Sequence, residues 1–427
     1  MNRRNAINLL GTTGALSLVN PKPILDSFSE SQSALAQLSK FDPEDNSEDF
    51  WHQVRQSYSV SANIINLNNG GVAPAPKIVQ DAVDHYNKLN NEAPSYYMWR
   101  ILDQGREPLR EKMADLAGCS AEELAFNRNS SEGLETIIFG LRLKAGDEVV
   151  LTKQDYPNMI NAWKQREKRD GIKLVWLNFE LPIENKEEIT SKFTRAFTSK
   201  TKIVHITHMV NWVGQIYPAT EIAVEAHKLG IEVIVDAAHS FAHVPYKIPD
   251  LQCDYFATSL HKWLSAPIGS GLLYVKKDKI KNLYPHFAAA DPESDDIRKF
   301  ENLGTRSFAI EQAIGHAIDF YHSIGPKRKF ERLCMLKETW VNEVRDHPKV
   351  KIISPQNRNY GGAIGNIHIK DKKPEELDTF LFNQYKIHTV GINWENIQGV
   401  RITPNVYTSL YDIQKLIKGL KQFLTLK

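Results

Sequence analysis

The chain has 427 residues, 53 Lys and Arg against 51 Asp and Glu, and a formal net charge of +2. Hydrophobic residues make up 42% and charged residues 24%, which excludes wholesale disorder, and the near-neutral balance leaves no electrostatic footprint for nucleic acid. Cys119, Cys253 and Cys334 lie far apart with no CxxC pair, so neither a zinc ribbon nor a disulfide scaffold is expected, and no metal site.

From the N-terminus, Arg3-Arg4 precedes a weakly apolar run from Ala6 to Val19, the layout of a twin-arginine-type export signal. The run is too short and too polar to span a bilayer. Ala34-Leu35-Ala36 offers an A-x-A-like cleavage point. Residues 1–36 therefore read as a signal or extension, giving an exported, periplasmic protein; the alternative is a cytoplasmic enzyme with an N-terminal extension. No later segment resembles a membrane span, so no stable membrane insertion is expected.

Phe41 to Tyr58 reads as a helix leading into the core, and Ile64 to Gly71 as a short apolar run breaking into a Gly-rich turn. Apolar, β-branched runs follow at Glu148–Leu151, Leu174–Leu177, Ile203–Ile206, Val233–Val235 and Leu272–Val275, each with the character of a buried strand. Helical patterns at Glu132–Leu143, Met159–Asp170 and Ala219–Leu229 alternate with them. The alternation predicts an α/β fold with right-handed βαβ units and a mainly parallel sheet. From Glu301 a long helical stretch runs to about Asp346. Strands at Val350–Ile353 and Asn366–Ile369 follow, with helices near Pro374–Asn383 and Asp412–Leu424. This divides the chain into an N-terminal segment with a large domain (37–300) and a smaller C-terminal α+β domain (301–427).

The chemistry concentrates in Val233-Ile234-Val235-Asp236-Ala237-Ala238-His239 and, downstream, Ser259-Leu260-His261-Lys262-Trp263. An Asp at the carboxyl end of a buried strand points into the crevice where α/β sheets bind ligands. A Lys in the following turn reaches the same crevice. Together they match the needs of pyridoxal 5′-phosphate: a Schiff-base lysine, and a carboxylate that keeps the pyridine nitrogen protonated.

On these motifs the sequence from Ile64 onward resembles the class V aminotransferase family of fold-type I pyridoxal-phosphate enzymes, in particular its isopenicillin N epimerase-like branch. The resemblance implies a large domain built on a seven-stranded-type sheet flanked by helices. Phe126-Asn127-Arg128-Asn129-Ser130-Ser131-Glu132 looks like the phosphate turn, with Ser130 and Ser131 contacting the phosphate at a helix N-terminus, where backbone N–H groups favour an anion. By the same resemblance Tyr156 stacks on the cofactor ring where many relatives carry His, Asn211 and His239 hold the cofactor's 3′ oxygen, and Ser259 and His261 add phosphate contacts. Gly304-Thr305 looks like the loop that reaches the neighbouring subunit's phosphate, which implies a homodimer with shared active sites. Arg401, in Gly399-Val400-Arg401-Ile402-Thr403-Pro404, matches the substrate-carboxylate arginine, a role suited to a bidentate guanidinium. Tyr96, Tyr97, Trp99 and Arg100 read either as a substrate-pocket wall, with Arg100 a second anion contact, or as an amphipathic segment packed on the large domain.

The implied chemistry acts at Cα of an amino acid or amino-acid-derived substrate, with Lys262 as general base. Epimerisation and C–S or β-elimination are the leading outcomes, with true transamination the alternative; from another class, the chain could bind the cofactor without catalysis. Sulfur transfer through an enzyme persulfide is disfavoured, because Met335 to Lys427 contains no Cys and Cys334 falls in a helical pattern.

Overall fold

The computed structural model describes residues 31–426, apart from 33, 39 and 43. Arg3, Arg4 and the apolar run lie outside the described residues, and residues 34–38, which hold the A-x-A-like site, are helical. The chain enters through helix α1 (Glu48–Gln56), capped by the Ser47 side chain, then strand β1 (Ile65–Asn66), α2 (Lys77–Glu92) and α3 (Arg106–Ala117).

The central layer contains β2 (Leu124–Asn127), β3 (Glu148–Thr152), β4 (Lys173–Leu177), β5 (Thr201–Thr207), β6 (Glu232–Asp236), β7 (Tyr255–Ser259) and β8 (Gly271–Val275). Their order is β2-β8-β7-β6-β5-β3-β4, and β8 alone runs antiparallel to its neighbours. Helices α4 (Ser130–Gly140), α5 (Pro157–Asp170), α6 (Lys186–Thr194) and α7 (Ala219–Lys228) connect the strands. Side chains alternate between two cores: Val233 and Val235 enter one, Ile234 the other. That period of two on a sheet covered on both faces explains the continuous apolar runs of the sequence.

Because the strands from β7 to β3 are mutually parallel, their carboxyl ends share one edge. Thr152, Thr207, Asp236 and Ser259 end β3, β5, β6 and β7 there, with Thr207 in register with Asp236. Every expected central strand is present. Helix α4 begins at Ser130 rather than Glu132, because the Asn129 side chain accepts the Glu132 N–H at 2.9 Å and caps it earlier.

The expected long helix after Glu301 is two: α8 (Phe308–Ile324) and α9 (Pro326–Val344), separated by Gly325 at φ +90° and restarted by a proline at the first turn. Helix α8 packs on α2 and α3. Strands β9 (Val350–Ile352) and β10 (Gly365–Ile369) are joined by an unexpected antiparallel pair, β12 (Val390–Trp394) and β13 (Ile397–Ile402), in the sheet order β12-β13-β10-β9. Helices α9, α10 (Pro374–Tyr385) and α11 (Leu410–Thr425) cover this second sheet around a separate core. A short parallel pair between β1 and β11 (Ile387–His388) ties the N-terminal segment to it. Among the described residues, no helix is long and apolar enough to cross a membrane.

Candidate active site

At the sheet edge, Asp236 is buried at the end of β6. Its carboxylate accepts the Ala238 N–H at 2.9 Å. Burial pushes this carboxyl above its ordinary range, while that hydrogen bond and nearby Lys262 pull it back. The turn that follows carries His239. The turn after β7 carries Lys262, whose Nζ lies 3.1 Å from His239 Nε2. Burial lowers the Lys262 amine to about 8, with Asp236 opposing and Arg401 adding to the shift. Burial, with Lys262 and Arg401 beside it, keeps His239 neutral, well below its usual value.

Beyond β8, β2 leads into α4, whose first turn carries Ser130 and Ser131. Ser259 Oγ receives the Ser130 N–H at 2.9 Å and stands 3.0 Å from Ser130 Oγ. Ser131 follows in the first turn of α4, half-buried. The backbone of β8 presses close: a Cβ at Gly271 would sit 2.1 Å from Asn127 Oδ1 and 2.6 Å from the Asn129 backbone nitrogen, so only glycine fits. His261 turns to the Ser270 carbonyl at 3.2 Å.

Arg401 lies within β13, paired in register with Asn366 of β10 and with Val390 of β12. Its Nη1 donates to the Asn211 carbonyl at 3.0 Å and its Nη2 to Asn68 Oδ1 at 2.9 Å, and only 6% of the residue is exposed. Burial lowers its guanidinium to about 10, and Tyr156 partly offsets that. A Cβ at Gly70 would come within 3.5 Å of Arg401 Cζ, so the Gly-rich turn after β1 forms a wall beside the guanidinium.

Tyr156 stands at the entry to α5, 40% exposed. The residue before it is locked: buried Asp155 accepts the Thr152 N–H at 2.9 Å and the hydroxyls of Thr152 at 2.7 Å and Thr207 at 2.8 Å. Trp212 and Trp394 stack at 5.5 Å and donate their indole N–H groups to the carbonyls of Gln154 and Lys153.

Within one chain the fold therefore gathers Lys262, Asp236, His239, Asn211, Arg401, Tyr156, Ser130, Ser131, Ser259 and His261 along one edge. Thr305 lies on an exposed loop after Gly304 (φ +71°) and Arg100 on an exposed single π-turn at Tyr97–Ile101; among the described residues neither shares a hydrogen bond or ion pair with this group. Sequence reasoning passed over Asn68, Asp155 and Trp394. A polar residue inside the Gly-rich turn and a carboxylate preceding Tyr156 were the only signals available.

Two deeply buried polar atoms at the edge, Asn211 Oδ1 and His239 Nδ1, have no hydrogen-bond partner among the described residues. A pyridine ring bearing a hydroxyl supplies what such groups lack, and a phosphate suits the Ser130–Ser259 turn at a helix N-terminus. The residues present thus fit pyridoxal phosphate: Lys262 to bond it, Asp236 to face its ring nitrogen, and Ser130, Ser131 and Ser259 to hold its phosphate.

Residues 65–391 match the family described as aminotransferase class-V. The chain belongs to that family. It is a pyridoxal-phosphate enzyme with the fold-type I architecture. Isopenicillin N epimerase of Streptomyces clavuligerus is 26% identical over 388 residues, covering 87% of this chain and 97% of that protein. A probable cysteine desulfurase of Halalkalibacterium halodurans is 27% identical over 406 residues, covering 87% and 97%. A solved mutant of C-DES, with glycine covalently linked to its PLP cofactor, superposes with a TM-score of 0.78 at 20% identity, over 86% of this chain and 98% of that one.

Proposed function

We propose that this family member is an epimerase that inverts Cα of an amino acid or amino-acid-derived substrate. The observation that carries the reading is the convergence of Lys262, Asp236 and Arg401 on one edge without a thiol beside them. All three cysteines have pKa values raised by burial, Cys334 to about 11 inside α9 and Cys119 to about 12, and none follows Cys334 in the chain. A persulfide-forming nucleophile therefore has no candidate, whereas proton transfer at Cα has its whole apparatus. The epimerase relative covered along 97% of its length supports the same direction.

Arg401 holds the substrate carboxylate with its two-pronged guanidinium, already oriented by Asn68 and the Asn211 carbonyl. Lys262, lowered toward neutrality by burial, takes the α-proton. Asp236 keeps a proton on the ring nitrogen, and Asn211 with His239 fixes the ring's hydroxyl. When bound, pyridoxal phosphate supplies the electron sink for the pair left at Cα.

A homodimer with shared active sites belongs to this reading. The exposed apolar residues Tyr96, Trp99 (55% exposed), Ile101 and Ile268 (69%) support it. Their segments adjoin α8: Gln312 donates to the Leu102 carbonyl at 2.9 Å, and Gly269 abuts Ile310. The exposed Thr305 loop leads into the same helix. Export of the folded, cofactor-loaded protein rests on Arg3-Arg4, the weakly apolar run from Ala6 to Val19 and the Ala34-Leu35-Ala36 cleavage point, and fractionation of cells carrying an Arg3→Lys, Arg4→Lys variant tests it.

Proton NMR of the cofactor-loaded protein with L- and D-amino acids in heavy water tests the activity. Loss of the α-proton signal with appearance of the opposite enantiomer, absent in Lys262→Ala, is the expected result. A keto acid would make the protein a transaminase, and pyruvate with a released thiol would make it a lyase; either overturns the epimerase.

A further inference from the structure

We propose that Tyr156 is the second acid–base residue of the reaction, serving the face of Cα opposite Lys262. This inference rests on the epimerase reading. Inversion requires a proton taken from one face and another delivered to the opposite one, and a lysine seated on one side serves one face.

The other ionisable groups at the edge are committed. Asp236 faces the ring nitrogen. His239 is on the Lys262 side, 3.1 Å from its amine. Arg401 is engaged with Asn68 and the Asn211 carbonyl.

Tyr156 differs on each count. In the sheet order β7-β6-β5-β3, Lys262 leaves the end of β7 and Tyr156 the end of β3. The ends of β6 and β5, which present Asp236 and lead to Asn211, lie between them. A cofactor held over Asp236 and Asn211 would have the amine on one side and the phenol on the other. The Tyr156 ring is 40% exposed, and its hydroxyl makes no hydrogen bond among the described residues. The Arg401 guanidinium is its charged neighbour.

Its backbone is also unusually fixed for an exposed side chain. Asp155 is held by three hydrogen bonds from Thr152 and Thr207, the carbonyls of residues 153 and 154 are held by Trp394 and Trp212, and Pro157 opens α5. A preset acid needs such a seat.

The step balances without redox change. For one enantiomer, the Cα–H bond breaks and Lys262 keeps the proton, while the electron pair stays with the substrate. The Tyr156 O–H bond then breaks and its proton forms the new Cα–H bond on the far face. Water returns a proton from the Lys262 ammonium to the phenolate. The reverse reaction exchanges the two roles.

The test uses cofactor-loaded Tyr156→Phe, which keeps an aromatic ring for stacking, with L- and D-alanine and L- and D-cysteine in heavy water. Inversion should fall by roughly 100-fold or more. Deuterium uptake should persist, with retention, from the enantiomer whose α-proton faces Lys262 and collapse from the other. A direct titration of cofactor binding by visible absorbance should match the native protein. Native-like inversion in Tyr156→Phe overturns this inference and leaves the epimerase standing. Equal loss of exchange from both enantiomers, or weakened cofactor binding, makes Tyr156 a binding residue and also overturns it. Absence of inversion by the native protein overturns the epimerase reading itself, and this inference with it.

Discussion

Lys262 Nζ stands 3.1 Å from His239 Nε2, so the amine proposed to bond the cofactor is held by a ring that burial keeps neutral. The amine is lowered from 10.5 to about 8 chiefly because burial disfavours its charged form. Only the neutral amine condenses with an aldehyde. The rate at which cofactor-free protein acquires the visible band of bound pyridoxal phosphate should therefore rise with pH and level off above about 8. Lys262→Ala should show no band at any pH. The unfolded chain holds this proton more tightly than the fold, so cofactor-free protein should also gain stability between about 8 and 10.5. A flat loading rate from pH 6 to 9 would rule out the lowered amine.

Asn68 holds one prong of Arg401, the fork proposed for the substrate carboxylate, from a distant part of the chain. Its Oδ1 accepts from Arg401 Nη2 at 2.9 Å, while the other prong is fixed by a backbone carbonyl that no side-chain change removes. Asn68→Ala frees one prong and should raise KM by roughly 10- to 100-fold, the usual worth of a charged hydrogen bond, with kcat little changed. Arg401→Ala should raise it further. Steady-state kinetics on one substrate separate the two constants, and an unchanged KM in Asn68→Ala would show that the fork orients itself.

The central strands were legible where parallel strands buried on both faces read as unbroken apolar runs, and Asp236 was legible because it ends such a run; Lys262 was legible from its Ser-x-His-Lys turn, while β7, which carries Thr258 and Ser259, did not read as an apolar run. The β12–β13 hairpin was hidden by Asn393, Glu395, Asn396 and Gln398, polar residues on a partly exposed sheet. Helix α3 was hidden for another reason: its buried face carries Arg110, a charge paired with Glu107 on the same helix and with Glu301, far along the chain. Asn68 and Asp155 escaped notice because their partners, Arg401 and Thr207, become neighbours only in three dimensions.

His243 makes the fold acid-sensitive. Its ring stacks on Trp263 at 3.7 Å, its Nδ1–H donates to the His239 carbonyl, and its Nε2 accepts the Ala363 N–H, both at 2.9 Å. A protonated ring cannot accept that N–H. Burial, with Lys329 and Lys337 adding repulsion, lowers it to about 3; burial alone lowers His205 to about 3 and His208 to about 4. In the unfolded chain all three take up protons near 6.5, so stability should fall as pH drops from about 6.5 toward 4. Urea midpoints across that range check the slope. His243→Phe keeps the stack but orphans a carbonyl and an N–H, each costing about 1–3 kcal/mol, and should make the slope shallower. An unchanged slope would mean that this ring titrates elsewhere.

Glu301 anchors the loop that carries Gly304-Thr305. Its carboxylate accepts from Arg106 Nη2 and Arg110 Nη1 at 2.6 Å, from Arg110 Nη2 at 2.9 Å and from the Phe126 N–H at 2.7 Å, so it joins α3, β2 and the start of that loop. Its own carbonyl accepts from Arg306 at 3.2 Å, and Arg306 also pairs with Glu311 at 3.0 Å, bracing the loop from its far end. Glu301→Gln keeps the shape but removes one negative charge from buried Arg110 and half-buried Arg106, which keep Glu107 and Glu311, at a cost of about 1–3 kcal/mol. Thermal unfolding should register that loss. If the loop reaches a neighbouring subunit, the same variant should also weaken the dimer in sedimentation and lower cofactor retention on dilution, while Thr305→Ala should lower retention without lowering the melting temperature. A destabilised Glu301→Gln protein that keeps its cofactor as well as the native one would confine this network to folding.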